Sequence, residues 1–307
     1  MPKSGREMAS INRYDNSGNG GGKHTKKQHT GSYSRANLNQ SARNSSSEQG
    51  DVLLSKVINA SPGMVIGRNA TAELLKSGRS VDKLFVRRGD REGSINVIIA
   101  EAVKRGIPVI EVDNSRLNVL SGGAHHQGVV AMAAEKDYCT VDDILDVARS
   151  RGEVPLIVIA DGIEDPHNMG AVIRSAECAG AHGLIIPKRR SAGLSPAVTK
   201  SSAGAVEHIA VAKVPNLAAA VESLKKTGVW IYTAEAGGVP YYECDFTLPS
   251  AVIFGSEGEG VSRLLREKSD FIVSVPLYGK INSLNVSCAA AVILSEAARQ
   301  TRTRHSM

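Results

Sequence analysis

The chain has 307 residues, enough for about two domains with a substantial core. Its formal charge of +6 at pH 7 and pI near 9.1 invite a polyanionic partner. No apolar run approaches the roughly 20 residues that span a bilayer, and the first thirty residues lack the apolar stretch of a secretory signal, so a non-membrane, cytoplasmic protein is expected.

The charge is unevenly placed. Residues 1–50 hold eight Lys/Arg against three acids, which puts five of the six net positive charges there. This segment is rich in Ser, Asn, Gly and Gln and has few large apolar side chains. It cannot bury enough surface to offset its ordering entropy, and residues 1–60 are read as a disordered basic tail that either attracts RNA or is simply solvated. A mitochondrial transit peptide is opposed by the Gly/Asn tract at 16–22, which disfavours an amphipathic helix.

A small domain is expected over 61–136. Its predicted elements are a helix at 69–76 stopped by Gly78, a strand at 83–86, and a helix at 94–104 closed by Gly106. A strand at 109–112, a short helix at 115–120 and a strand at 128–133 follow, which together make a compact α/β unit. Arg79, Arg87 and Arg88 near its strand ends suit a binding module, or they are solvated charges. His125 and His126 are adjacent and point to different sides of any regular element, so a loop is a better reading than a metal site. The four cysteines, at 139, 178, 244 and 288, show no Cys-x-x-Cys spacing and read as reduced thiols; no metal is expected.

Residues 137–153 read as a partly helical linker, and 154–307 as a larger α/β domain opening with a buried strand at 156–160. The polar turn after it launches a helix, for which Asn168 is the expected N-cap, with Pro166 keeping the turn extended. On a helical wheel Met169, Val172, Ile173 and Ala176 share one face, while Arg174 falls about 140° from its centre. Periodicity alone leaves Arg174 either solvated or directed into a cleft. Further strands are expected at 183–186, 209–211 and 229–233, with helices at 196–205 and 217–226 between them.

The strand at 251–254 ends in Gly255-Ser256-Glu257-Gly258-Glu259-Gly260. Its spacing is Gly-x-x-Gly-x-Gly, unlike the dinucleotide fingerprint, and Glu257 and Glu259 would repel a pyrophosphate, so a cationic or neutral ligand fits better. Glu257 could equally brace the tight turn. Segment 275–277 and the run Asn282-Ser283-Leu284-Asn285 follow, and then a helix to about residue 299. That helix places Leu284, Cys288, Ala291, Val292 and Ser295 along one stripe, for packing either on its own sheet or on a second copy.

Three blocks, Asn168-x-Gly170-x-x-x-Arg174, Phe254 through Ser262 and Pro276 through Ser287, resemble in order and spacing the three motifs of the SpoU (TrmH) family of RNA ribose 2′-O-methyltransferases. Ile66-Gly67-Arg68-Asn69 and His126-Gln127-Gly128-Val129-Val130 resemble the substrate-binding domain of its large-subunit rRNA guanosine branch. The likeness spans about 62–300 and implies a SPOUT-type α/β domain whose C-terminal chain forms a trefoil knot, beside a small ribosomal-protein L30e-like α/β domain. It also implies S-adenosylmethionine as cofactor, held by Gly255, Val275, Leu277 and Leu284, and a catalytic group of Arg174, Asn168, Glu257, Ser283 and Asn285. Ribosomal RNA as partner and a homodimer built through the C-terminal domain complete the expectation. A doubly wound nucleotide-binding enzyme and a non-catalytic RNA-binding protein are the competing classes; the acidic glycine turn opposes the first, and the intact polar residues oppose the second.

Overall fold

The computed structural model describes residues 63–89 and 93–304, so the expected basic tail lies outside the described residues. The first sheet has four strands: β1 (Met64–Ile66), β2 (Val81–Arg87), β3 (Val109–Val112) and β4 (Val129–Ala133). They lie in the order β1-β4-β2-β3. β4 pairs antiparallel with both neighbours, whereas β2 and β3 are parallel. Helices α1 (Arg68–Ser77), α2 (Ser94–Lys104) and α3 (Asn114–Leu120) connect them. α1 stops at Gly78, whose left-handed φ of 79° suits glycine, and Leu74, Leu84, Ile95 and Val129 fill the core beneath it.

The second sheet has six strands, all parallel, in the order β10-β8-β9-β5-β6-β7. These are β5 (Leu156–Asp161), β6 (Gly183–Pro187), β7 (Ala210–Val214), β8 (Trp230–Pro240), β9 (Ser250–Gly255) and β10 (Phe271–Ser274). β5 shows why its sequence is a continuous apolar run: Leu156, Val158 and Ala160 enter the core on one face, while Ile157 and Ile159 enter the core on the other. The helices are α4 (Val141–Arg151), α5 (Pro166–Cys178), α6 (Pro196–Ser201), α7 (Leu217–Lys226), α8 (Arg263–Lys268) and α9 (Val286–Arg304). α4, in the segment read as a linker, has a Thr140 capping box, buries Ala148 and sends Ile144 and Leu145 into the core that holds Ile157 and Ile159. Gly183 is needed there, because a Cβ on it would lie 2.6 Å from Ile144.

The two sheet units meet along an ionic seam. Arg79 pairs with the buried Glu207 at 3.3 Å, Lys136 Nζ donates to the Glu207 carbonyl at 3.3 Å, and His208 Nε2 meets Glu73 at 2.8 Å. Burial raises the Glu207 carboxyl above its ordinary range and lowers the Lys136 ammonium. Arg79 therefore serves the seam and not an exposed binding face.

The parallel strand order fixes where ligands can sit. β5, β6 and β7 run outward from the middle of the sheet to one side, after which the chain crosses to β8, β9 and β10 on the other. The switch point falls between β5 and β9, and such sheets bind ligands at the carboxyl ends of the strands there.

Candidate active site

Three segments meet at this switch point. The first is the start of α5. Asp165, not Asn168, is the N-cap: its side chain accepts from the Asn168 N–H at 2.8 Å, and Pro166 occupies the first turn. The expected cap was three residues late because Pro166, lacking an N–H, is well suited to the first helical position and not to the turn before it. The Asn168 side chain is thereby released. Gly170 allows α5 to pack against α6, since a Cβ on it would stand 1.9 Å from Ser201 Oγ. Ser201 Oγ in turn donates to the Pro166 carbonyl at 2.8 Å.

The second segment is the loop after β9. It folds back so that Ser256 and Gly260 exchange backbone hydrogen bonds of 3.2 and 3.0 Å. A Cβ on Gly255 would lie 2.0 Å from the Gly260 carbonyl carbon, so only glycine fits at the base of this loop. Gly260 closes it at φ 67°.

Asn285, from the third segment, joins the other two. Its Nδ2 donates to Asn168 Oδ1 at 3.0 Å and to Glu257 Oε1 at 2.5 Å. Its Oδ1 accepts from the Ser287 N–H at 2.9 Å, and its carbonyl accepts from the Cys288 and Ala289 N–H groups, the geometry of an N-cap on α9. One side chain thus starts the last helix and ties together residues 117 and 28 positions away in sequence.

A cavity of about 300 Å³ opens beside this junction. Gly255, Glu257, Val275, Leu277, Ser283 and Leu284 all line it, which brings together the four expected cofactor residues and two of the expected catalytic ones. Its remaining wall was not foreseen. Residues 234–236 bulge from β8 where the register against β10 slips between Ile272 and Val273, and Ala234, Glu235 and Ala236 enter the lining. The signal was the Ala-Gly-Gly interruption of an apolar strand. Glu235 is held by Arg266 at 3.1 Å.

Arg174 stands apart from the Asn168–Asn285–Glu257 junction. Six residues beyond Asn168 it lies about 9 Å further along α5 and roughly 120° around it. It is exposed and does not line the cavity, whereas Met169, Val172, Ile173 and Ala176 are buried as the wheel requires.

A glycine-walled cavity at the switch point of a parallel sheet, beside a second α/β unit, defines a two-domain α/β ligand-binding protein whose glycine spacing is not that of a dinucleotide enzyme. The model of the SpoU rRNA Methylase family matches residues 155–295, and that of RNA 2′-O ribose methyltransferase substrate binding matches residues 64–139. A Bacillus subtilis protein, YacO, assigned to the TrmH family of tRNA/rRNA methyltransferases, is 42% identical over 237 residues, which cover 77% of this chain and 95% of YacO. A Staphylococcus haemolyticus protein of the same assignment is 39% identical over 238 residues, with 77% and 95% coverage. The chain belongs to the SpoU (TrmH) family of RNA methyltransferases.

Among solved structures, the SpoU methyltransferase AviRb from Streptomyces viridochromogenes, in complex with the cofactor AdoMet, aligns with a TM-score of 0.67 at 26% identity, over 83% of this chain and 98% of that one. An RNA 2′-O ribose methyltransferase aligns with a TM-score of 0.64 at 26% identity, over 77% and 88%. S-adenosylmethionine is the methyl donor of the family.

Proposed function

We propose that this protein methylates the ribose 2′-hydroxyl of a guanosine in large-subunit ribosomal RNA. The observation that carries the reading is the Asn285 bridge, which draws the three motif segments together at the rim of a cavity lined by the expected donor residues. The lining suits S-adenosylmethionine. Val275 and Leu277 offer apolar walls for an adenine ring, Gly255 lets backbone approach closely, and Glu257 is compatible with positive charge where it would oppose a phosphate. When bound, the donor supplies an electrophilic methyl group on a cationic sulfonium.

The chain supplies alignment, which is worth about 7–11 kcal/mol when reacting groups are well oriented. Asn168 and Ser283 orient the ribose, and Asn285 fixes Asn168 and Glu257 relative to each other. Arg174 is unsuited to act as a base, because a guanidinium does not deprotonate in proteins. Its role is to clamp the phosphate beside the reacting hydroxyl.

The position of Arg174 away from the cavity favours a homodimer, with a second copy completing the cleft. The exposed face of α9, with Cys288, Ala291 and Ser295 beside exposed Leu284, is the surface for it; Val286, Ala290, Ile293 and Leu294 pack inward instead. We further propose that the chain between β10 and α9 is threaded as a trefoil knot, that the four-stranded unit is L30e-like, and that the enzyme is cytoplasmic. Support for the threading is that the chain leaves the far edge strand β10, returns to Asn168 at Asn285, and then packs α9 on α5.

Ribose-methylation mapping of total RNA from cells with and without the protein tests the reading. A single large-subunit rRNA guanosine should lose its 2′-O-methyl group. Loss at a tRNA position instead would overturn the rRNA assignment, and unit dimer mass that survives Ala291→Arg would overturn the α9 interface.

A further inference from the structure

A second cavity, of about 290 Å³, lies on the opposite side of the Gly-rich loop from the donor cavity. Ser256, Glu259 and Gly260 line both. Its other residues come from the carboxyl ends of successive strands: Asp161 after β5, Arg189 and Arg190 after β6, and Asn216 after β7. Acceptors therefore sit above β9 and β5 and donors above β6 and β7. With strands spaced about 4.8 Å apart, β5 to β7 spans roughly 10 Å, room for one purine and its hydrogen-bond partners. Leu217 and Leu265 are buried at the base and Leu264 is exposed at the rim, so the crevice has apolar surface for a ring face.

The polar groups are fixed in place. Asp161 Oδ2 accepts from the Ser262 N–H at 2.7 Å, which holds the carboxylate and leaves its other oxygen available to a ligand. Arg190, in the left-handed region at φ 57°, is tied to Glu259 at 2.7 Å and reaches Glu164 at 3.7 Å. Arg189 is exposed and makes no ion pair among the described residues. Two carboxylates offset two guanidiniums in the lining, which gives no net preference for a phosphate. A neutral ligand with donors on one edge and acceptors on the other fits this order of groups.

Resting on the methyltransferase reading above, we propose that this crevice is a guanine-recognition pocket of the RNA substrate, with Asp161 accepting from the N1–H and N2 amine and Arg189 donating to O6 and N7. Guanine presents both edges on one ring system. A base held here and a donor held in the first cavity flank one backbone loop, through the shared Ser256, Glu259 and Gly260. The guanine is that of the target nucleotide or of a neighbour.

The experiment measures kcat/KM on unmodified substrate RNAs in which inosine, lacking the N2 amine, replaces guanosine singly at the target and at each adjacent guanosine. The wild-type enzyme should lose roughly 10- to 100-fold at one position, which identifies the nucleotide bound. Asp161→Asn, which can keep the Ser262 contact but presents an amide, should abolish that discrimination while donor affinity by calorimetry stays unchanged. Should Asp161→Asn fold poorly, the exposed Arg189→Gln keeps the test open: it should abolish discrimination against 7-deazaguanosine at the same position. Equal rates for inosine and guanosine at every position, or unchanged discrimination in both variants, would overturn the pocket. Absence of transfer to every RNA would instead sink the methyltransferase reading, and the pocket with it.

Discussion

Asn285 offers a perturbation whose parts separate. Asn285→Asp keeps the side-chain oxygen that caps α9, and Asp caps as well as Asn, but it loses both Nδ2 donations. The bond to Glu257 is charge-assisted and the one to Asn168 neutral; at their lower, solvent-exposed limits they contribute about 2 kcal/mol together. The new carboxylate also faces Glu257, and two like charges near 4 Å in a water-like dielectric add about 1 kcal/mol. The total of about 3 kcal/mol predicts that kcat/KM falls on the order of 100-fold. The lost bonds and the new repulsion also act on the folded state, so Tm should fall by roughly 6–12 °C, at about 2–4 °C per kcal/mol. Asn285→Ala loses the same two donations without the added repulsion and, in addition, about 1 kcal/mol of helix stability from the missing cap, so its Tm should fall by a similar amount. Methyl transfer to RNA, donor calorimetry and thermal melts on the three proteins check this. An Asp variant with turnover within about threefold of wild type would refute the bridge as the organiser of the site.

Gly255→Ala should weaken donor binding by at least about tenfold and destabilise the fold by about 1–3 kcal/mol, because the added Cβ meets loop backbone at 2.0 Å; calorimetry and denaturant melts read both. Arg174→Ala should abolish methyl transfer and leave donor affinity near wild type, since Arg174 lies outside the cavity, and strong loss of donor binding would show this placement to be irrelevant. Arg79→Ala, which strands the buried Glu207 carboxylate, should cost about 3 kcal/mol in urea unfolding. Glu207 has a folded pKa raised above 4.5, so its contribution is fully present below that value and is lost as pH rises through the folded value. Glu207→Gln should therefore gain stability relative to wild type as pH is raised from about 4.5, and a difference that is flat with pH would contradict the burial of the charge.

Much of this fold was legible because single features dictated it. β5 and β9 are apolar runs, since both faces of a central parallel strand are buried, and α2 and α7 end where Gly106 and Thr227-Gly228 stop them. β1 and β10 were missed because three or four residues show no period; β3, equally short and also at an edge, was legible because Gly106 and Pro108 mark its start. The motif residues pointed to the cavity, but its third wall was marked only by the Ala236-Gly237-Gly238 interruption of β8, which does not say where the strand bulges, because the register slip depends on how β10 pairs with it. The Asn285 bridge was equally hidden. Its partners are 117 and 28 residues away, and side-chain contact at that range leaves no periodic trace. Asn168 was misplaced as a cap because both Asp165 and Asn168 can cap, and only the position of Pro166 within the first turn decides between them.

Ribose methylation by this protein is measured most directly by transfer of labelled methyl from S-adenosylmethionine to unmodified ribosomal RNA, followed by digestion to nucleosides and mass spectrometry. Label should appear in 2′-O-methylguanosine with the wild-type protein and be absent with Arg174→Ala. Label in a base-methylated nucleoside, or equal label with both proteins, would contradict it.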